Sequence, residues 1–323
     1  MFSVVIPLYN KADYIEKAVV SVLQQTYSTF ELIIINDGST DDSWQRVARY
    51  NDARIQLIDQ PNAGVSVTRN RGVLVASFEY VAFLDADDWW EPTFLEQMAQ
   101  LIQKYNEAIL FGCNYYYVKH GRCKVEPKGL TETFRDGYID YISTYSSQFC
   151  VLLNCSFVVV QKQAFLVVGG FKPNLRFSED FDLWIRLALV GKVAYLNTPL
   201  AYSNQDVIAQ SRAIGGYKLY HPDAHFIFNA DYLKAAEQQS VALKRLLDGL
   251  RVRTLLPYYL ANKYKSEVQA ILAKVDFPQQ PVYYRWTYQT PRLLLQLYFR
   301  LMKIGARSKQ KLVRLGRRIP TTP

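Results

Sequence analysis

Along the first hundred residues, short apolar runs alternate with stretches whose apolar residues recur every three or four positions. Ser3–Pro7, Leu32–Asn36, Ile55–Asp59 and Tyr80–Leu84 are strand-length, rich in β-branched or aromatic side chains, and bounded by turn residues. Between them, Ala12–Gln25, Asp42–Tyr50 and Val65–Ala76 carry the spacing of amphipathic helices, and Ser39-Thr40-Asp41-Asp42 supplies capping side chains for the second. Strands and helices alternating in this way predict right-handed βαβ units, hence an α/β fold whose mainly parallel sheet is covered by helices on both faces. Such sheets bind ligands beyond the carboxyl ends of their strands.

Three of the four strands run out into polar clusters at that rim: Pro7-Leu8-Tyr9-Asn10-Lys11, Asn36-Asp37-Gly38-Ser39 and Asp85-Ala86-Asp87-Asp88. In extended backbone, residues i and i+2 share a side, so Asp85 and Asp87 can face one ligand. Paired carboxylates are hard oxygen donors suited to Mg²⁺ or Mn²⁺, whose other positions water and substrate phosphates fill. A solvated acidic turn ahead of the helix after Pro92 would show the same residues. Asp37 fits either an Asx turn or a hydrogen bond to a nucleobase N–H. Pro61-Asn62-Ala63-Gly64 leads into the helix bearing Arg69, which brings a turn, a helix N-terminus and a cation to the same rim, ordinary means of holding phosphate. A surface arginine is the plainer reading of Arg69.

Past residue 105 the pattern loosens. Ile109–Val118 and Cys123–Val125 read as a strand pair, Gly170–Phe171 follows a short helix, Glu179–Val190 has helical periodicity, and Lys192–Leu196 is a further strand. From about residue 216 the chain is mostly helical and rich in Tyr and Leu. Glu179 and Asp180 open their helix, where the helix dipole favours carboxylates; spacing alone does not bring them to the rim.

A chain of 323 residues is long for one core, which predicts a main domain with appended elements. No apolar run reaches the roughly 18 residues of a membrane-spanning helix, and Met1–Pro7 reads as a strand rather than a secretory leader, so a cytoplasmic location is expected. The four cysteines contain no C-x-x-C pair and are expected to be reduced thiols; His221 and His225, at i and i+4, lack a third zinc ligand. The net charge of +9 is uneven. No acidic residue follows Asp276, whereas ten Lys and Arg lie between Arg285 and Arg318, leaving 28 basic against 29 acidic side chains up to residue 276. Arg300, Lys303, Arg307, Lys311, Arg314 and Arg318 form one helical stripe beside an apolar stripe that includes Leu297, Leu301 and Ile304, with Trp286 and several tyrosines just ahead. This tail is expected to lie on the anionic cytoplasmic face of the cell membrane, the other reading being a helix packed on the body with a solvated basic face. No nucleic-acid-binding motif accompanies its charge.

Taken in order, these segments resemble family 2 of the inverting glycosyltransferases, whose GT-A nucleotide-diphosphosugar fold is a Rossmann-like sheet. The resemblance rests on Ser3–Asn10, Glu31–Asp42, Asn62–Asn70, Phe83–Asp88, Gly169-Gly170-Phe171 and Glu179–Trp184, and covers roughly residues 1–205. The expected organisation is a GT-A domain over residues 1–215, a helical extension over 216–280 and the basic tail over 281–323. The resemblance implies that Pro7 and Tyr9 line a nucleobase pocket, that Asp37 binds the base, and that Asp85 lies at the ribose and phosphates of the donor, on the side where Arg69 is the candidate phosphate cation. It further implies that Asp87 holds a divalent metal (Mn²⁺ or Mg²⁺) on the diphosphate, that Asp180 is the general base, and that Glu179 and Trp184 shape the acceptor side. The implied reaction moves a sugar, with inversion, from a nucleotide-sugar donor such as a UDP-sugar to a hydroxyl of a glycan or lipid-linked acceptor, in cell-surface polysaccharide synthesis. Such chemistry needs neutralisation of the leaving diphosphate and a carboxylate on the attacking hydroxyl.

One departure concerns the diphosphate. Many relatives carry a His/Arg-rich segment after the last core strand, where this chain has Ala201–Asp206 with Arg212 as the nearest cation; Lys11 and Arg69 are the other candidates. Two further readings use the same kind of sheet. A sugar-phosphate nucleotidyltransferase would carry a Gly-rich basic loop in place of Leu8-Tyr9-Asn10-Lys11, and a non-catalytic nucleotide-sugar-binding protein would have no need of Asp37, Asp85, Asp87 and Asp180 together.

Overall fold

The first predicted strand extends over Phe2–Leu8 (β1), followed by α1 (Ile15–Leu23), β2 (Phe30–Asp37), α2 (Ser43–Val47), β3 (Ile55–Gln60), α3 (Val65–Val75) and β4 (Tyr80–Phe83). The computed structural model describes residues 1–125, 130–207, 219–299 and 301. Ile33, Ile34 and Ile35 of β2 are all fully buried, as in a strand covered on both faces. α1 buries Ile15, Ala18, Val19 and Val22, one stripe at the helical period. The order β3-β2-β1-β4 is parallel throughout.

Beyond β4 come β5 (Trp89–Trp90), α4 (Phe94–Lys104), β6 (Ala108–Lys119), β7 (Arg122–Val125), β8 (Asp136–Ile139), α5 (Tyr141–Gln148), β9 (Val158–Gln161), α6 (Lys162–Val167), α7 (Glu179–Val190) and β10 (Lys192–Asn204). β9 inserts antiparallel between β4 and β6, and β10 lies parallel to β6, which gives the order β3-β2-β1-β4-β9-β6-β10-β5. The expected parallel sheet is thus mixed in its second half. β10 also runs past the predicted Leu196 to Asn204, through register shifts around Pro199 that let an irregular strand stay paired.

Helices cover both faces. Phe2, Val4, Ile6 and Leu8 share a core with Ala18 and Val22 of α1, Val47 of α2 and Met98 of α4. Val5 points the other way, onto α3, so closely that a Cβ on Gly72 would come within 2.3 Å of its Cγ1. On that face Phe171 packs against Phe83, Phe165 and Trp184 at ring separations of 5.5, 5.6 and 6.1 Å.

The chain divides into two compact units, Met1–Leu246 and Leu247–Pro323. The helical stretch expected to open a separate extension at 216 stays with the first unit as far as Leu246. There Phe177 pairs with His225, Tyr232 donates to the fully buried Asp182 (2.6 Å), and α8 (Lys234–Gln239) follows. His225 is a structural residue: its Nδ1 accepts from Ile227 N (3.1 Å), and burial lowers its pKa to about 4. The second unit holds the end of α9 (Val241–Thr254), then α10 (Leu256–Ala261), α11 (Lys265–Leu272) and α12 (Val282–Gln289). A buried Asp248–Arg251 pair at 2.9 Å braces it, with Asp248 also accepting from Asp276 N. No helix among the described residues is long and apolar enough to cross a membrane. The basic stripe that starts at Arg300 lies outside the described residues, as does Arg212.

Candidate active site

The loops after β1 and β2 are knitted together at the carboxyl rim. Asn10 N donates to Ser39 Oγ (3.1 Å), Lys11 N to Ser43 Oγ (2.8 Å) and Thr40 N to Asn10 Oδ1 (2.8 Å). Asn10 adopts a φ of 51°, a left-handed conformation that Asn tolerates better than most side chains. Lys11 Nζ then lies 2.6 Å from Asp87 Oδ2. Asp37, 3% exposed, accepts from Gln60 Nε2 (2.8 Å), Ala63 N (2.8 Å) and Gly64 N (2.9 Å), which anchors the Pro61–Gly64 turn at the start of α3. Pro7 is paired with Ile35 in the sheet, and Tyr9 stands 47% exposed beside it.

After β4 the backbone does not stay extended. Asp88 N donates to Asp85 O (3.0 Å), so Asp85 and Asp87 sit on a turn rather than on extended strand, and each meets its own cation. Arg69 NH2 reaches Asp85 Oδ1 at 2.6 Å, and its NH1 reaches Glu179 Oε1 at 2.9 Å. The Arg69 side chain is 5% exposed. One buried cation therefore joins a carboxylate of the β4 turn to one at the start of α7, more than ninety residues later in the chain. Burial raises the Asp87 pKa, Lys11 opposes the rise and Asp85 adds to it.

Asp180 lies in the same electrostatic cluster. Its pKa is raised to about 7, first by burial and then by the charge of Glu179, with Arg69 opposing. Its Oδ1 accepts from Phe181 N (2.8 Å). Ser178, immediately ahead, has a φ of 60° without being glycine, strain of about 1 kcal/mol or more of the kind held at functional sites. The motif residues around α7 are tied to α3. Asn70 Nδ2 donates to Phe171 O (2.7 Å) while its Oδ1 accepts from Phe171 N (2.9 Å), and Ser66 Oγ donates to Leu175 O (3.0 Å).

Trp184 is fully buried beside Phe171, where it packs α7 onto the sheet. Ser156 and Tyr141 escaped the sequence reading, and Asp88 was placed at the rim without a role. Ser156 Oγ accepts from Asp85 N (3.1 Å) and donates to Asp88 Oδ2 (2.5 Å), and Asp88 Oδ1 accepts from Asn204 N (2.8 Å). Asp88 is thereby a buried strut between β4, β10 and the turn before β9. Tyr141 on α5 places a buried, unpartnered hydroxyl near Asp180, and Phe181 stacks on Tyr145 at 5.3 Å. An Asn-x-Ser turn at Asn154 is the only local signal for Ser156; Tyr141 has none.

Among the described residues no group of three or more His, Cys, Asp or Glu converges as a self-sufficient metal site. The donor set at Asp85 and Asp87 fits a hard divalent cation of the kind that takes one or two carboxylates and completes its shell with phosphate oxygens and water.

A mixed sheet with an acidic rim at its carboxyl ends is the architecture of the GT-A fold. Staphylococcus aureus TarS, crystallised as residues 1–349 with UDP-GlcNAc, shares the fold with a TM-score of 0.58 over 84% of this chain and 90% of that one, at 18% identity. Residues 3–158 match the family model described as glycosyl transferase family 2. Glycosyltransferase GlyA of Streptococcus pneumoniae is 29% identical over 219 residues, 67% of this chain and 30% of GlyA. Chondroitin synthase of Pasteurella multocida is 28% identical over 199 residues, 61% of this chain and 20% of the synthase. The chain thus spans less than a third of the length of these two relatives.

Proposed function

We propose that this glycosyltransferase moves a sugar from a UDP-sugar to a hydroxyl of a glycan or lipid-linked acceptor in one inverting displacement, in surface polysaccharide synthesis at the membrane. The observation that carries the reading is the Arg69 bridge. It brings Asp85 on the donor side and Glu179 on the acceptor side to one guanidinium, with Asp180 alongside at a pKa of about 7. A general base works best when its pKa matches the working pH. Asp180 then takes the proton from the acceptor hydroxyl as that oxygen attacks the anomeric carbon. The bond from that carbon to the diphosphate breaks, and an α-linked donor gives a β-linked product.

On the donor side, Pro7 and Tyr9 border the base, and the Asp37-braced turn sets the N-terminus of α3 behind it. Asp85 and Asp87 would hold a divalent cation, which when bound neutralises charge on the leaving diphosphate. Lys11 and Arg69 are the cations of this chain placed to follow the phosphates, the role that many relatives give to a His/Arg segment. The sheet similarity to TarS and the partial match to a polysaccharide synthase support a nucleotide-sugar donor and a glycan product. The basic C-terminal segment supports an anionic membrane surface as the place of work.

A thermal-shift panel of nucleotide sugars with and without Mn²⁺ tests the donor assignment, because a ligand that binds only the folded state raises its melting temperature. One UDP-sugar is expected to stabilise the native chain more strongly with Mn²⁺ present, and Asp87→Ala is expected to abolish that metal-dependent increment. An increment unchanged in Asp87→Ala removes the metal from this residue.

A further inference from the structure

The second compact unit carries a cleft of about 380 Å³ between α10, α11 and the chain around Arg292. Tyr258, Tyr259, Asn262, Lys263, Lys265 and Arg292 line it, and no carboxylate does. Among the described residues neither lysine nor Arg292 has an ion-pair partner, and Arg292 Nε is buried with no hydrogen bond. Three cations with their charge unspent around a tyrosine-walled cleft are suited to a phosphate ester, which accepts several charge-assisted hydrogen bonds at once. Asn262 and Tyr264, on either side of Lys263, both hold left-handed φ values of 54° and 51°.

The surroundings identify what bears the phosphate. The helical turns that begin at Arg292 expose Leu293 (73%), Leu294 (58%), Leu297 (54%) and Leu301 (59%), four apolar side chains at helical spacing on one face. Leu293 also lines the cleft, so the apolar face and the cationic cleft are continuous. A soluble anion leaves those leucines in water. A glycerophospholipid fills both halves, with its headgroup phosphate among Lys263, Lys265 and Arg292 and its acyl chains, in the bilayer, against the leucines. We propose that this cleft is a headgroup site for an anionic glycerophospholipid, which rests on the membrane placement proposed above and gives it a defined point of attachment.

The test uses the full chain and dihexanoyl-phosphatidylglycerol below its micelle-forming concentration, with glycerol 1-phosphate as the chainless control, followed by thermal shift. The lipid is expected to bind at least tenfold more tightly than glycerol phosphate. Binding should be lost in the double variant K263Q/K265Q, whose positions are exposed and leave the fold intact, and in K263Q/K265Q/R292Q, but kept in K309Q/K311Q/R314Q. On phosphatidylglycerol vesicles each basic residue at the surface is worth about fivefold, so the three cleft substitutions should weaken partitioning on the order of a hundredfold. Equal binding of glycerol phosphate and the lipid would make this a site for soluble phosphate esters and overturn the proposal. So would undiminished lipid binding in K263Q/K265Q. Absence of native binding to the vesicles would remove the membrane placement itself, whereas vesicle binding insensitive to the cleft substitutions removes the cleft alone.

Discussion

Asparagine at position 180 keeps the shape of the side chain and the acceptor for Phe181 N while deleting the charge, so it separates what the carboxylate does for catalysis from what it does to stability. In the native chain the Asp180 pKa stands at about 7, against 3.8 for a free side chain, with burial the first cause and Glu179 the second. Between those two values the unfolded chain has released its proton and the folded chain has not. The unfolded state thus binds fewer protons, and native stability falls as pH rises from about 4 to about 7, then levels off. Integrated over that window, the buried charge costs about 4 kcal/mol at pH 8 and about 2 kcal/mol at pH 5. These are upper values, since Asp180 keeps some solvent contact. Asp180→Asn is therefore expected to be more stable than the native chain, and more so at pH 8 than at pH 5.

The same titration governs the rate. With a base of pKa about 7, kcat/KM at pH 6 should be about one-tenth of its plateau and at pH 5 about one-hundredth. Asp180→Asn should lose transfer at every pH while its stabilisation by the donor is retained. The assays are urea unfolding of both chains at pH 5 and pH 8, and initial rates with the donor found in the panel. A stability difference that does not change between the two pH values would show that the carboxylate is not held in a charge-disfavouring environment. Transfer retained by the variant would remove the base assignment outright.

Arg69→Met leaves Asp85 and Glu179 facing each other without their shared cation. Breaking a buried pair from one side costs about 3–5 kcal/mol, so urea unfolding at pH 8 should show a loss of that order. Trp184→Ala is expected to cost about 3–5 kcal/mol by opening a cavity under α7, with Trp184→Phe losing less; a loss below about 1 kcal/mol would place the ring outside the core.

The elements β1 to β4 were legible because each is a local pattern: a β-branched run closed by a turn, then a stripe at helical spacing. The acidic rim was legible in position for the same reason, since parallel strands carry their carboxyl ends to one edge. Its internal pairing was not. Which cation meets Asp85 depends on a turn at Ala86–Asp87 and on a helix entering from residue 65, and neither is written into Asp-x-Asp. β9 escaped because Val158–Gln161 is short and its antiparallel slot between β4 and β6 is a tertiary choice. Trp184 lies four residues after Asp180, on nearly the same helix face, but it is fully buried, and spacing alone does not say that this part of the face points into the protein.

Charge balance ties the two halves of the rim together. Asp85, Asp87, Glu179 and Asp180 share the site with Lys11 and Arg69, and with Asp180 half-protonated near pH 7 the cluster keeps a net negative charge of roughly one to two. A nucleoside diphosphate brought to that rim adds further negative charge, and both resident cations are already committed to carboxylates. Donor binding on the proposed reading must therefore either bring in a divalent cation or release Lys11 and Arg69 from their partners. Release of Arg69 has a consequence for the acceptor. Glu179 loses its counter-charge while lying next to Asp180, and its uncompensated charge raises the Asp180 pKa further. The pH midpoint for transfer should accordingly move upward if the phosphates take over Arg69, and stay near 7 if a divalent cation carries the charge instead. Midpoints compared at low and saturating Mn²⁺ distinguish the two.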